Sequence, residues 1–461
     1  MSTYPRMTPA ATDDYTIYPS AVAVEPEMAP PAEKQPNTVS RSRGPEFYKP
    51  FHYLLLVYLF FYCSRIPEML PWFHIGLLLQ PILLIGMFMT NTTKAIFKTD
   101  VGRWMTVFTA WVAICVPTST WKGGSFQILI LAVQALVLLF FMASFIRTLD
   151  DCYRVIYVIA VAMAVVGVLS LIKGSGVNQQ DLRVGLGAGK DMENTLGDAN
   201  YLALYVSLGL PFLWFAYTWK RGIVKVALVL MAIPMLATVA RTGSRMGLLA
   251  LAAAALFFLI FASASQRVVL ILGGFVCLVV AAMLLPQKIT DRFTTFFNPS
   301  SAAEVEAAQS AEARKLMFIR SVEVTLEHPL LGVGPGEFMD AEAKEDIAAG
   351  KRGLWHYTHN AYTELSSETG IIGMLFFLYA FWRSYRGLSQ FRSHFPSARV
   401  RRAALCIQMA VLISSIGAFF LSIAYSGILY PVLGLSAAFQ LAAARQYKLL
   451  QEQTSGALAG Q

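Results

Sequence analysis

Charged residues are scarce in this chain of 461 residues: only 14% are Asp, Glu, Lys or Arg, while 56% are hydrophobic. A soluble globular domain carries about 25% charged residues, so the shortage argues against an ordinary soluble fold and predicts an integral membrane protein. Cysteine is also sparse. The five cysteines are scattered, and no C-x-x-C pair or Cys/His spacing indicates a zinc site or a disulfide framework.

The first fifty residues lack the charged and then apolar pattern that is typical of a cleaved signal peptide. They are polar and rich in Pro, Ala and Thr. Because such a segment has few large apolar side chains with which to bury a core, we expect residues 1–50 to form a disordered cytoplasmic tail.

Long apolar runs fill most of the remaining chain. A membrane-spanning helix needs about 20 mostly apolar residues. We therefore predict an all-α polytopic membrane protein with about twelve transmembrane helices in residues 51–445, followed by a cytoplasmic C-terminal tail at 446–461. The predicted spans are 51–65, 70–90, 102–118, 125–146, 152–172, 199–219, 223–240, 245–263, 268–286, 365–383, 403–424 and 427–444.

Basic residues are distributed unevenly between the two ends of these spans. With the N-terminus in the cytoplasm, twenty Lys and Arg residues lie near cytoplasmic ends, and seven lie in the short outer loops. The positive-inside rule then predicts that both termini are cytoplasmic. The net charge of +9 thus reflects membrane topology rather than a nucleic-acid partner. Residues 287–364 become one large external loop between the ninth and tenth spans, with a helix at about 302–327 and a tight turn in GVGPGEF.

Titratable residues lie at the outer end of the tenth span, in the stretch HNAYTELSSE that begins at His359 and contains Glu368. Ionisable groups near lipid are costly and are functional candidates by default. A structural alternative is that Asn360 caps a helix with Glu364 in its first turn.

A second cluster lies in TGSRMGLL, where Arg241 and Arg245 would be i,i+4 neighbours on one helical face at the outer start of the eighth span. Two cations at the positive end of a helix dipole predict an anion such as phosphate. Two further groups of cations are Arg314, Lys315 and Arg320 on the external helix, and Arg183 and Lys190 in the polar loop 173–198. Asp191 and Glu193 in that loop are more often solvated than metal-bound, so no metal or other cofactor is predicted.

Four stretches together resemble the O-antigen ligase and polymerase superfamily. They are LGDANYLALYVSLGLPF (196–212), TGSRMGLL (242–249), ARKLMFIRSVEVTLEHPLLGVGPGEF (313–338) and HNAYTELSSETGIIG (359–373). The resemblance covers about 180–385. It implies a GT-C-like glycosyltransferase in the bacterial cytoplasmic (inner) membrane, with its active site facing the periplasm. The donor would be a polyprenyl-pyrophosphate-linked glycan, and the acceptor another glycan or a lipid A core.

The family's functional residues match three positions of this chain. The resemblance implies that Arg245 and Arg314 hold the pyrophosphate and that His359 assists the acceptor hydroxyl, in an inverting reaction without a metal. The absence of an Asp-x-Asp motif agrees with this expectation. Phe318 stands where many relatives carry Trp, and His356 has no counterpart. The other predicted pyrophosphate- or glycan-binding residues are Arg241, Arg183, Asn200, Arg320, Asn360 and Glu368.

The sequence leaves the acceptor open between a lipid A core, a growing chain and a protein hydroxyl. Outside this chemistry, a twelve-helix secondary transporter fits the number of spans. Such transporters usually show two similar halves with a site at the bilayer midplane. The large loop after the ninth span breaks that symmetry, and the ionisable residues lie at the ends of the spans, so transport is the weaker interpretation.

Overall fold

The computed structural model describes residues 46–69, 75–173, 175–178, 181–186, 196–284, 302–348, 350 and 356–459. Nearly all of the predicted N-terminal tail, together with Lys190, Asp191 and Glu193 of the polar loop, lies outside the described residues. The helices, in chain order, are α1 (Lys49–Ser64), α2 (Ile66–Met69), α3 (Ile75–Met89), α4 (Asp100–Cys115), α5 (Lys122–Phe145), α6 (Leu149–Lys173), α7 (Ala199–Trp219), α8 (Gly222–Arg241), α9 (Arg245–Phe261), α10 (Ala264–Leu284), α11 (Ala302–Glu327), α12 (Phe338–Ala348), α13 (Ala361–His394), α14 (Ala398–Phe420) and α15 (Tyr430–Ala459).

Each of the twelve predicted spans coincides with one of these helices. Within the described ranges, seven helices are long and apolar enough to cross a membrane, namely α4 with the short 3-10 turn that follows it, α5, α6, α7, α8, α13 and α14. Helices α3, α9 and the first part of α10 are apolar but shorter. The polytopic membrane fold is therefore confirmed, whereas the number twelve and the GT-C-like arrangement stay predictions.

One short hairpin departs from the all-α prediction. Strand β1 (Ser175–Asn178) pairs antiparallel with β2 (Asp181–Gly185) inside the loop after α6. Strand β2 contacts α6, α7 and α8. The hairpin therefore lies against three helices, in the stretch 173–198 that was predicted to be a polar loop.

Helices α7 and α14 form the centre of the bundle. In each, 72% of the most apolar stretch is buried, against 22% for α8, whose apolar side chains face outward. Small residues allow the close approach of helices that membrane packing requires. A Cβ atom on Gly417 of α14 would meet Leu204 of α7, and one on Gly247 of α9 would meet Ala203.

Helix α13 is broken at Gly370, which has φ 73° and ψ 173°. The loop that follows α11 fills this break. The amide of Val333 donates to the carbonyl of Ser367 at 2.9 Å, that of Gly334 donates to Glu368 at 3.0 Å, and Ile371 donates to Pro329 at 2.9 Å. Backbone groups that lose helical partners at membrane depth must find others, and here the loop supplies them.

The glycine-rich turn was predicted, and the structure shows why it needs glycine. Gly332, Gly334 and Gly336 all have positive φ. A Cβ on Gly332 would also lie 2.2 Å from the backbone of Glu368. Left-handed backbone and close approach both favour glycine, so this turn packs directly against the broken helix.

The helices have two chemically different ends. At the first, which we call the loop end, Ser125 of α5 donates to the carbonyl of Pro335 at 2.8 Å and Tyr62 of α1 donates to Gly427 at 3.0 Å. At the other, the basic end, Asp100 pairs with Arg383, and Arg399 lies 3.9 Å from Asp150. Arg383 and Arg399, which the positive-inside count assigned to the cytoplasm, therefore lie at the end opposite His359.

Candidate functional site

The starts of α7 and α9 are joined by hydrogen bonds at the loop end. Asp198 caps α7, since its Oδ1 accepts from the amide of Asn200 at 2.6 Å and from that of Tyr201 at 3.3 Å. Ser244 caps α9 by accepting from the Gly247 amide at 3.1 Å, and its hydroxyl donates to Asn200 Oδ1 at 2.9 Å. The Asn200 side chain thus fixes the position of the first turn of α9.

Arg241 and Arg245 do not share a helical face, and the i,i+4 prediction was wrong. Helix α8 ends at Arg241, and α9 begins at Arg245 after a turn in which Gly243 has φ 57°. Left-handed backbone at Gly243 ends the first helix, and the Ser244 cap starts the second. Arg241 consequently lies at the favourable negative end of one dipole, and Arg245 at the positive end of the next.

A cation in the first turn of a helix adds positive charge where the dipole is already positive. Arg245 is half-buried there, beside the capping hydroxyl of Ser244. This arrangement favours an anion, and helix N-termini are common phosphate sites. That the start of this span holds phosphate stays a prediction, and it no longer depends on a shared helical face with Arg241.

His359 lies immediately before α13, with a left-handed backbone (φ 51°). Its amide donates to Ser422 Oγ at 3.0 Å. Asn360 caps α13 by accepting from the amides of Tyr362 at 2.9 Å and Thr363 at 3.2 Å, as the structural alternative predicted. A positive φ is uncommon outside glycine, and here the cap and Ser422 hold it on both sides.

The His359 imidazole is half-buried among charged groups from three parts of the chain. Burial is the main cause that lowers its pKa below the usual 6.5, and the charges of Arg314 and His356 lower the pKa further. Asp198 acts in the opposite direction and raises it. The fold therefore brings together Asp198 before α7, Arg314 on α11 and His359 before α13, and it keeps the imidazole predominantly neutral near pH 7.

Arg314 and Arg320 are both on α11, but they have different surroundings. Arg320 Nε donates to both oxygens of Glu342 at 3.1 Å, while its other nitrogens reach Glu323 at 2.6 Å and Glu345 at 2.5 Å. These carboxylates raise the pKa of Arg320. Among the residues whose side chains the structure describes, which begin at Glu312 on this helix, no carboxylate forms an ion pair with Arg314.

Glu368 lies at the break in α13 and contacts the loop after α11. Its carboxylate accepts from the amide of Gly336 at 2.7 Å and from that of Phe338 at 3.4 Å. These contacts hold the glycine-rich turn in place. Among the described residues, no hydrogen bond joins the Glu368 carboxylate to His359. Arg183, another predicted site residue, lies in strand β2, which is far from Glu368 in the sequence.

Two residues of this site were not predicted. The Tyr201 hydroxyl donates to the carbonyl of Ser422 at 2.9 Å, and Ser422 Oγ contacts both the His359 amide and Thr358 Oγ1. Ser422 lies between α14 and α15, in a stretch that had been divided between two predicted spans. The signal available in the sequence was a group of polar residues and one glycine where the two predicted spans adjoin: Ser422, Tyr425, Ser426 and Gly427.

One known protein family matches the part of the chain that contains the candidate site. Residues 230–378 match the family model described as O-antigen ligase. No curated protein matches the chain. The matched range begins in α8 and ends in α13, so it contains Arg245, Arg314 and His359. It supports the resemblance drawn from the four motifs, a role in O-antigen ligation or polymerisation, and a glycosyltransferase type of enzyme in a membrane.

Proposed function

We propose, on the premise that the chain belongs to the O-antigen ligase and polymerase superfamily, that it transfers a glycan from a polyprenyl-pyrophosphate donor to an acceptor hydroxyl. The reaction builds or attaches a cell-surface polysaccharide. The observation that carries the proposal is a half-buried His359 that is held by Ser422 and whose pKa is lowered by burial and by the charge of Arg314, at the same end of the bundle as the capped start of α9.

The first step of the argument concerns the leaving group. A polyprenyl pyrophosphate already carries stable negative charge, so its departure needs neutralisation by cations more than it needs a proton. Arg245 and Arg314 supply bidentate hydrogen bonds to phosphate oxygens, which a lysine would not match. The dipole of α9 adds to the positive potential at Arg245.

The second step concerns the acceptor. Its hydroxyl oxygen forms the new bond to C1 of the donor sugar while the bond from C1 to the phosphate oxygen breaks. The electron pair of that bond leaves with the pyrophosphate, and the proton of the hydroxyl goes to the His359 imidazole. Because burial and Arg314 lower the pKa of His359, the imidazole is free to accept this proton near pH 7. A single displacement inverts the anomeric centre.

The remaining predicted residues receive supporting roles. Asn200 positions the start of α9 through Ser244, and Asn360 positions His359 through the cap of α13. Arg241 and Arg183 are candidate contacts to the glycan, while Arg320 and Glu368 hold the external segment. We place His359 on the periplasmic side and both termini in the cytoplasm, because the basic end of the bundle lies opposite His359.

The test is transfer by the purified full-length chain in lipid, with a synthetic polyprenyl-pyrophosphate glycan and candidate acceptors. His359→Asn removes the base but tolerates the left-handed backbone. We expect transfer to fall about 10²–10⁴-fold. The matched control is His356→Asn, since His356 is exposed and has no assigned chemistry. Transfer by His359→Asn at the rate of the control would refute the mechanism.

The acceptor is distinguished in a deletion strain that carries the His359→Asn gene. Full-length lipid-linked polymer that accumulates over a bare lipid A core identifies a ligase. Accumulated single repeat units identify a polymerase, and loss of glycan from a protein identifies an O-linked oligosaccharyltransferase. If the surface glycan is unchanged, the transferase proposal fails and transport becomes the better interpretation.

A further inference from the structure

A pocket of about 270 Å³ lies at the basic end, between the segment after α3, the end of α5 and the middle of α15. Four cations line it: Lys94, Lys98, Arg147 and Arg445. No carboxylate is among its lining residues. Helix α5 has 24 residues and is about 36 Å long, so this pocket is far from the start of α5, which lies at the same end as His359.

The pocket is held in shape by backbone contacts. Ser144 donates to the carbonyl of Thr92 at 3.2 Å, and Arg147 Nε donates to the carbonyl of Ser144 at 3.1 Å. Arg445 reaches the carbonyl of Arg147 at 3.5 Å. The arginine from α15 is therefore held beside the arginine at the end of α5, although their like charges repel.

Arg147 has unused hydrogen-bonding capacity. Its Nη2 is buried and has no hydrogen-bond partner among the described residues. Asp151, whose charge acts on Arg147, accepts instead from the amides of Arg147 and Thr148 and from the hydroxyl of Tyr48. Burial, followed by the charge of Arg445, lowers the pKa of Arg147. A buried donor beside a second cation is the environment that an anion would stabilise.

The surroundings identify the source of the anion. Phe88, Met89 and Phe97, which flank the pocket segment in the chain, are large apolar side chains that are more than two-fifths exposed. A basic pocket between helix ends next to apolar surface is where an acidic lipid places its phosphate while its acyl chains lie along the protein. We infer that the pocket formed by Lys94, Lys98, Arg147 and Arg445 binds the phosphate group of an anionic phospholipid. This inference does not depend on the proposed function.

The experiment compares lipid binding by three forms of the full-length chain. The pocket variant is Lys94→Gln/Lys98→Gln/Arg445→Gln, which retains Arg147 and its hydrogen bond to the carbonyl of Ser144. The control variant, Lys225→Gln/Arg386→Gln/Lys448→Gln, removes the same charge from the basic end outside the pocket. Native mass spectrometry counts phosphatidylglycerol and phosphatidylcholine retained by each form, and vesicles with and without phosphatidylglycerol give the affinities.

We expect the pocket variant to bind phosphatidylglycerol about 100-fold more weakly than wild type, because each of the three removed charges should weaken the affinity about fivefold. The affinity of the control variant should change little. Neither variant should alter the weak retention of phosphatidylcholine. Equal phosphatidylglycerol binding by the pocket and control variants would overturn the inference. Displacement of the lipid by millimolar inorganic phosphate, with equal affinity for vesicles of either composition, would overturn the assignment to a phospholipid and identify a soluble phosphate compound instead.

Discussion

Arg314 and Arg320 lie six residues apart on α11, and both are near acidic residues in the sequence, yet the fold gives them different partners. Arg320 is held by Glu323, Glu342 and Glu345, whereas the charge of Arg314 acts on His359. Six residues turn an α-helix by about 600°, so the two side chains point about 120° apart. One face of α11 therefore forms ion pairs with α12 through Arg320, and another face carries Arg314 towards the candidate site.

The largest effect should separate the two arginines in the transfer reaction. Arg314→Gln removes a cation from the proposed pyrophosphate site, and we expect transfer to fall about 10²–10³-fold, the usual loss when one charge-stabilising donor is removed. Arg320→Gln, measured with the same donor and acceptor, should remain within about threefold of wild type because Arg320 only supports the loop. Equal losses in the two variants would remove the distinction between these faces of α11.

The contact between α13 and the glycine-rich turn can be tested by replacing Glu368. Glu368→Gln weakens the hydrogen bonds that the Glu368 carboxylate accepts from the amides of Gly336 and Phe338. We therefore expect thermal unfolding in detergent to show a free energy of unfolding that is lower by about 1–3 kcal/mol. Glu368→Asp is the charge-retaining comparison. If Glu368→Gln abolishes transfer without a change in stability, then Glu368 takes part in the chemistry instead of anchoring the loop.

A smaller loss of stability is expected for Arg320→Gln. The change leaves the buried carboxylate of Glu342 without the Arg320 Nε that donates to both of its oxygens. We expect the free energy of unfolding to fall by about 1–2 kcal/mol. The exposed Lys315→Gln on the same helix serves as the control. Unfolding curves that coincide for Arg320→Gln and Lys315→Gln would show that the carboxylate cluster contributes little.

The pH dependence should give the smallest effect and the most specific one. A base must be neutral to accept a proton, and the pKa of His359 is lowered, so transfer should persist below pH 6.5 before it falls. Arg314→Gln removes one cause of the lowering, and the acid limb of its residual activity should move to higher pH. Arg320→Gln should leave the limb in place. A histidine NMR titration checks the same direction without turnover.

The helices and several of their ends were predictable because their causes are local. Apolar length placed twelve spans on helices, Asn360 caps α13, and α11 runs over the predicted range. The break between the spans 223–240 and 245–263 was predicted, but Arg241 and Arg245 were placed on one helical face because the turn at Gly243 and the Ser244 cap were not recognised. The hairpin after α6 was missed because strands of four and five residues leave almost no periodicity to detect.

The candidate site was predicted in part. The motifs gave Arg245, Arg314 and His359, and the fold brings Arg314 and His359 together through elements separated by 45 positions in the chain. Ser422 and Tyr201 escaped detection, since a hydroxyl in an apolar segment carries no signal until its partner is known. Arg320 and Glu368 looked equivalent to the other charged candidates, because their partners are set by packing between distant segments.

By itself, the sequence determined that the chain lies in a membrane, since burying so many apolar residues and so few charges requires lipid. It also indicated a resemblance to the O-antigen ligase and polymerase superfamily, because the motifs place two arginines and a histidine in a fixed order, and the family model matches residues 230–378. Only the tertiary structure decided which charges pair with carboxylates, as Arg320 does, and which act on His359, as Arg314 does. The free energy of a charge depends on the groups within a few ångströms of it, and those groups come from parts of the chain that only folding brings together.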